Sequence, residues 1–259
     1  MTILEKHDKK RIKTAVFDFD GTLSTLRCGW EEVMGPLMVE YISGGEPDEA
    51  VTDMVREYID RSTGIQTIAQ MKWLAEKTAE YSRSKNAPSD PWEYKAEYNR
   101  RLMQNVEKRR DDAENGNRGS YLVAGSEQFL QALKKRGIRL LAASGTDECD
   151  VRREAAALGL DRYFDEIAGA KPHSEDCSKQ ATLRQLLSQG EGGIIVIGDG
   201  PVEIKLGRQS GALTLGVASD ERRLRGYSEA KMKRLEGAGA HALTDCFEKT
   251  DELLGWMEG

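Results

Sequence analysis

Short apolar runs stand at Thr14–Phe17, Ile138–Ala143, Phe164–Ala168, Ile194–Ile197 and Leu213–Val217, each four to six residues long. They are rich in Val, Ile, Leu and Ala and show little apolar–polar alternation, the pattern of parallel strands covered on both faces. Helical spacing separates the later runs. Phe129, Leu130 and Leu133 recur within Ser126–Arg136, which Gly137 stops. Val151, Ala155 and Leu158 mark Asp150–Leu160, and Leu183, Leu186 and Leu187 mark Lys179–Ser188. Strands alternating with helices of about ten residues predict βαβ units. The expected fold class is α/β, with a Rossmann-like, doubly wound parallel sheet as its core.

Residues 25–120 break the alternation, showing helical spacing and no strand pattern. Trp30, Val33, Met34, Leu37, Met38 and Tyr41 form one stripe, and Val51, Met54, Val55, Tyr58 and Ile59 form another behind Pro47. Ile65–Tyr81 and Trp92–Ala113 read as two further helices. Such stripes are the mark of helix-packing surfaces. The chain therefore divides into a discontinuous core, residues 1–24 and 121–259, and an inserted all-helical cap domain, residues 25–120, expected over the carboxyl edge of the sheet.

Composition narrows the partners. The 259 residues are 32% charged and 39% hydrophobic, as in a soluble globular protein, and the net charge of -6 argues against nucleic acid. No apolar run nears the roughly 20 residues a membrane crossing needs. The opening MTILEKHDKKRIK carries charge with no apolar stretch behind it, so it does not read as a secretory signal. Its basic cluster, Lys9 to Lys13, reads as a solvated lead-in to the first strand. Cysteines 28, 149, 177 and 246 have no zinc or redox spacing and read as reduced thiols of a cytoplasmic protein.

Ligands of an open α/β sheet bind outside the carboxyl ends of its strands. Asp18, Asp20 and Thr22 follow the first run, and Ser144, Gly145 and Thr146 follow the second. Asp199 and Glu203 follow the fourth, in GDGPVE. Ahead of that run, SEDCSKQATL places Lys179 at a helix start, with Asp176 or Ser178 as the N-cap. Asp18, Asp20, Asp199 and Glu203 cannot all stay ionised together without a cation, and hard oxygen ligands suit Mg²⁺. Ser144, the backbone at Gly145 and Lys179 supply donors for phosphate oxygens. Asp18 can then attack phosphorus to form an aspartyl-phosphate. Asp20, two residues on, can turn to the same side, protonate the leaving oxygen and later deprotonate water.

Asp18-Phe-Asp20-Gly-Thr22, Ser144-Gly-Thr146, Lys179 and Gly198-Asp199-Gly-Pro-Val-Glu203 resemble, in order, the four motifs of the haloacid dehalogenase superfamily of phosphotransferases. The resemblance implies Asp18 as nucleophile, Asp20 as acid/base, and Ser144 and Lys179 as phosphate ligands. It implies Mg²⁺ on Asp18, the Asp20 carbonyl and Asp199, with Glu203, where Asp is more usual, ligating directly or through water. Lys171, in GAKP, competes with Lys179, which is preferred because it opens the helix leading into the Asp199 strand. The helical segment falls where the family places a cap that closes over small substrates.

The expected activity is thus Mg²⁺-dependent hydrolysis of a small phosphorylated metabolite, a sugar phosphate or similar phosphomonoester. A phosphomutase uses the same four motifs, and a non-catalytic phospho-ligand-binding protein is the alternative of another class. Asp20 argues against dehalogenation, which has no acid at that place. GDGPVE has Glu203 where a dinucleotide fingerprint has its third glycine. Substrate choice is expected from Arg27 and Trp30 and from the turn holding Thr63, Gly64 and Gln66.

Overall fold

A strand whose side chains are apolar on both faces needs a layer of helices on each, and this requirement organises the fold. In the computed structural model, which describes residues 1–7, 11–171, 179–189 and 193–259, the strands are β1 (Thr2–Ile3), β2 (Ile12–Phe17), β3 (Arg139–Asp147), β4 (Glu166–Ala170), β5 (Gly193–Gly198), β6 (Leu213–Val217) and β7 (Ala242–Thr244). They form one seven-stranded sheet in the order β1-β7-β6-β5-β2-β3-β4, parallel throughout except where β1 meets β7. The helices are α1 (Glu31–Ser43), α2 (Glu49–Ser62), α3 (Thr67–Tyr81), α4 (Pro91–Asp112), α5 (Ser126–Lys135), α6 (Glu148–Ala157), α7 (Lys179–Gln189), α8 (Pro201–Gln209), α9 (Glu229–Gly237) and α10 (Thr250–Glu258).

Successive residues of β2 serve opposite layers. Ala15 and Phe17 pack with Phe129 and Leu133 of α5, Val151 of α6 and Leu253 of α10. Val16 packs with Leu183 and Leu186 of α7 and Leu206 of α8. The sheet is doubly wound, as its apolar runs require.

Two compact units result: Met1–Cys28 with Arg109–Gly259, which carries the sheet, and Gly29–Lys108, which is helical. Residues 25–28 and 109–120 fall with the sheet, for a packing reason. Leu26 and Ala113 are buried in its core, and Arg109 Nη1 donates to the Leu26 and Cys28 carbonyls at 2.8 and 2.7 Å. The helical unit has its own core, including Met34, Leu37, Met71, Tyr94 and Tyr98. There α2 starts at Asp48, whose Oδ1 accepts from Val51 N at 3.0 Å, and Pro47 stands just outside that cap.

Three strand details depart from the apolar pattern. β3 runs past Ala143 to Asp147, so Ser144, Gly145 and Thr146 lie within it, across a register shift against β4. β4 starts two residues after Phe164, and just ahead of it Asp165 meets β3 partly through its side chain: its N donates to Leu140 O and its Oδ2 accepts from Leu140 N, both at 2.8 Å. β1 and β7, two and three residues long, are too short to give a periodic signal. Cys28, Cys149 and Cys246 are free thiols. Lys9, Lys10, Asp176, Cys177 and Ser178 lie outside the described residues. Among the described residues no helix is long and apolar enough to cross a membrane.

Gly125 precedes α5 with φ +81°, and a Cβ there would lie 2.3 Å from the Phe247 carbonyl carbon and from Glu248 N. Gly125→Ala is expected to lower stability by about 2–5 kcal/mol in urea unfolding, from the left-handed backbone and the overlap together. Gly119→Ala, with nothing within 4 Å of its added Cβ, should stay within about 0.5 kcal/mol of the unaltered chain.

Candidate active site

The site begins where β2 ends. Phe17 and Phe19 are both buried in the sheet unit's core, so the intervening Asp18 and the following Asp20 keep the opposite parity. Asp18 N still donates to Ile197 O at 2.8 Å, extending the ladder with β5. The chain then closes on itself: Leu23 N reaches Phe19 O at 3.0 Å and Gly21 N reaches Ser24 O at 2.8 Å. Gly21 has φ +73°, and a Cβ on it would stand 2.3 Å from Asp199 Oδ2. Only glycine satisfies both the turn and the approach of that carboxylate.

Asp199 leaves β5 immediately before α8. Pro201 is the first residue of α8, and Glu203 Oε1 accepts from Gly200 N at 2.6 Å. The carboxylate thereby caps the helix at the positive end of its dipole. It folds back so closely that a Cβ on Gly198 would lie 2.4 Å from Glu203 Cγ, which explains glycine on both sides of Asp199. Asp18, Asp199 and Glu203 each offer an oxygen, all within 4.8 Å of one another. Asp18 is 6% and Glu203 1% exposed. Three hard oxygen donors drawn together away from water fit a divalent cation of the Mg²⁺ type.

The Asp20 carboxylate is managed separately. Its Oδ2 accepts from Ser144 Oγ at 3.1 Å and Thr146 Oγ1 at 2.9 Å. Its Oδ1 is buried with no hydrogen bond, and Arg27 Nε lies 3.8 Å away. Ser144 Oγ also accepts from Thr146 N at 3.0 Å, which fixes the hydroxyl's direction. Arg27 itself grips Glu154, with Nη2 2.6 Å from Oε1 and Nε 3.1 and 3.2 Å from the two oxygens. Burial pushes the Glu154 carboxyl up to about 7, against the pull of Arg27.

Of the residues singled out from the sequence, Asp18, Asp20, Thr22, Ser144, Asp199 and Glu203 stand at this edge; Thr22 Oγ1 donates to Asp199 Oδ1 at 3.3 Å. Gly145 lies in β3 between the two hydroxyls that hold Asp20. Lys171 directly follows β4. Lys179 is the first residue of α7, and its side chain lies outside the described residues. Gly64 and Gln66 belong to the turn between α2 and α3 of the helical unit. The Arg27 side chain, 11% exposed, is engaged within the sheet unit by Glu154.

One residue escaped the sequence. Lys231 of α9 is buried, its Nζ 2.7 Å from both Asp199 Oδ2 and Glu221 Oε1. Burial opposes its charge, but Asp199 and Glu221 outweigh burial and hold its pKa above the ordinary lysine value. The available signal was spacing: Lys231 shares a helical face with buried Leu235 and Ala238.

A doubly wound sheet with gathered carboxylates at its carboxyl edge defines an α/β enzyme of the Rossmann-like type. The haloacid dehalogenase-like hydrolase family model matches residues 12–211, and the chain belongs to that family. Comparison with curated protein sequences gives no match. Among solved structures, the chain is similar to a β-phosphoglucomutase from Clostridium difficile (16% identity, 95% of this chain and 97% of that one, TM-score 0.61). It is also similar to a predicted phosphoglycolate phosphatase from Haemophilus somnus (16%, 94% and 98%, 0.60). A third similar chain is described as a HAD-hydrolase from Bacillus subtilis, solved bound to magnesium (14%, 95% and 100%, 0.56). At these identities the likeness is one of fold.

Lys231→Met leaves two partly buried carboxylates without their shared ammonium. Stability in the presence of chelator should fall by about 3–5 kcal/mol, read by urea unfolding. Lys231→Met with Glu221→Gln should recover part of that loss.

Proposed function

We propose that the protein is a Mg²⁺-dependent phosphatase that hydrolyses a small phosphomonoester through an aspartyl-phosphate on Asp18. The carrying observation is the division of labour between the two N-terminal acids. Asp18 stands with Asp199 and Glu203, whereas Asp20 is drawn aside by two hydroxyls. This separation supports Asp18 as the acid that attacks beside a bound cation and Asp20 as the acid that moves a proton. Asp18, Asp199 and the Asp20 carbonyl would hold Mg²⁺, with Glu203 beside them, and the bound ion offsets the charge of carboxylate and phosphate brought together. The magnesium in the Bacillus subtilis structure supports this choice of ion.

In the first half-reaction an Asp18 oxygen bonds to phosphorus, the ester P–O bond breaks, and Asp20 gives its proton to the departing oxygen. In the second, Asp20 takes a proton from water, whose oxygen attacks phosphorus and frees Asp18. The backbone at Gly145 and a lysine supply donors to the phosphate oxygens, and Ser144 joins them when its single hydroxyl proton turns from Asp20 to the substrate, leaving Thr146 on Asp20. Substrate selection is assigned to the helical unit, through Gly64 and Gln66. The phosphate lysine is Lys179 or Lys171, the latter leaving the strand next to β3.

Phosphate release from nitrophenyl phosphate is expected to require Mg²⁺, to stop with chelator, and to fall to background in Asp18→Asn; activity surviving that change would refute the mechanism. A sugar phosphate isomerised faster than it is hydrolysed would reassign the reaction to a mutase.

Alanine placed separately at Lys171 and Lys179 identifies the phosphate ligand. One variant should lose about 10²-fold or more in kcat/KM and the other less than about threefold, measured on the same substrate.

A further inference from the structure

We propose that Arg27, locked by Glu154, is a positioning residue that keeps Asp20 Oδ1 open and aimed for proton transfer. The proposal rests on the acid/base reading of Asp20. The two oxygens of Asp20 are treated differently: Oδ2 accepts from the Ser144 and Thr146 hydroxyls, and Oδ1 is buried without a hydrogen bond. A buried carboxylate oxygen with no compensation is costly. Arg27 Nε, 3.8 Å from Oδ1, supplies compensation as a field rather than as a hydrogen bond. The oxygen's lone pairs stay available to a proton while its charge remains supported.

For that arrangement to persist, the guanidinium must not swing in and bond Oδ1. Glu154 prevents this by taking Arg27 in a forked pair through Nε and Nη2. Asp150 Oδ2 lies a further 3.8 Å from Nη2. A planar fork on a carboxylate fixes direction as well as distance. Glu154 and Asp150 sit on α6, which continues directly from β3, the strand that carries Ser144 and Thr146. One continuous strand–helix segment therefore governs both oxygens of Asp20, Oδ2 by direct hydrogen bonds and Oδ1 through Arg27. A buried ion pair is often no more stabilising than apolar residues of similar volume, so what distinguishes this one is its place behind the acid.

The test uses leaving groups of graded quality. The full-length chain with Mg²⁺ is assayed on dinitrophenyl, nitrophenyl and phenyl phosphate, with kcat/KM reporting transfer to Asp18. A departing dinitrophenolate needs little proton assistance, whereas phenolate needs much. For Arg27→Gln, and for Arg27→Gln with Glu154→Gln, which removes the stranded carboxylate, the loss should be under about threefold on dinitrophenyl phosphate. It should rise to about 10²-fold on phenyl phosphate. Arg27→Lys, which keeps the buried charge without the fork, should show the same trend, so the trend is readable even where the Gln variants fold poorly. A loss equal on all three esters, or no loss, overturns the proposal. Asp20→Asn separates the two layers of the argument. If its own loss is leaving-group dependent and that of the Arg27 variants is not, the positioning role alone fails. If its loss is uniform, the acid/base reading fails and the positioning role with it.

Discussion

Carboxylate crowding at one edge of the sheet is the constraint to which the rest of the site answers. Asp18, Asp20, Asp199 and Glu203 are gathered there, and mutual repulsion in a partly desolvated pocket would push them apart or protonate them. Each of three acids has its own local remedy. Two hydroxyls and a guanidinium attend Asp20. Lys231 and Thr22 attend Asp199. The first turn of α8 attends Glu203. These remedies come from β3, α8, α9 and the segment that follows β2, so the charge at the site is balanced by elements spread along the whole sheet unit.

How much of this the sequence discloses depends on whether a residue's neighbours are close along the chain. The runs around Phe17, Leu141, Ile195 and Leu215 are strands because they are apolar on both faces, and that is visible in any window containing them. The acids at 18, 20, 199 and 203 were legible for a related reason: they stand just past such runs, where strands of a doubly wound sheet deliver their side chains to one edge. Lys231 was not legible, because its partners lie 32 and 10 positions upstream, Asp199 and Glu221, and no local pattern links them. Arg27, just past the first acids, was seen, but its hold on Glu154, 127 positions away, was not.

Strand ends were the least legible part of the fold, and the site shows why this matters. β3 was expected to stop at Ala143, where the apolar run stops. It continues in extended conformation to Asp147 despite its polar residues. The extension sets Ser144 and Thr146 on the same side of the strand, two residues apart, so that both hydroxyls reach one oxygen of Asp20. Hydropathy reads burial by packing and has no term for burial by hydrogen bonding, which is what keeps this polar end of β3 in place.

Arg109 ties the chain's return into the sheet unit to the carbonyls of Leu26 and Cys28, the last residues before its departure. The whole insertion therefore begins and ends at a single clasp, and the sheet registers it as though it were one long loop. Such a joint makes the inserted segment a cassette. Evolution can lengthen, trim or replace it while the acids, hydroxyls and cations on the sheet side keep their spacing.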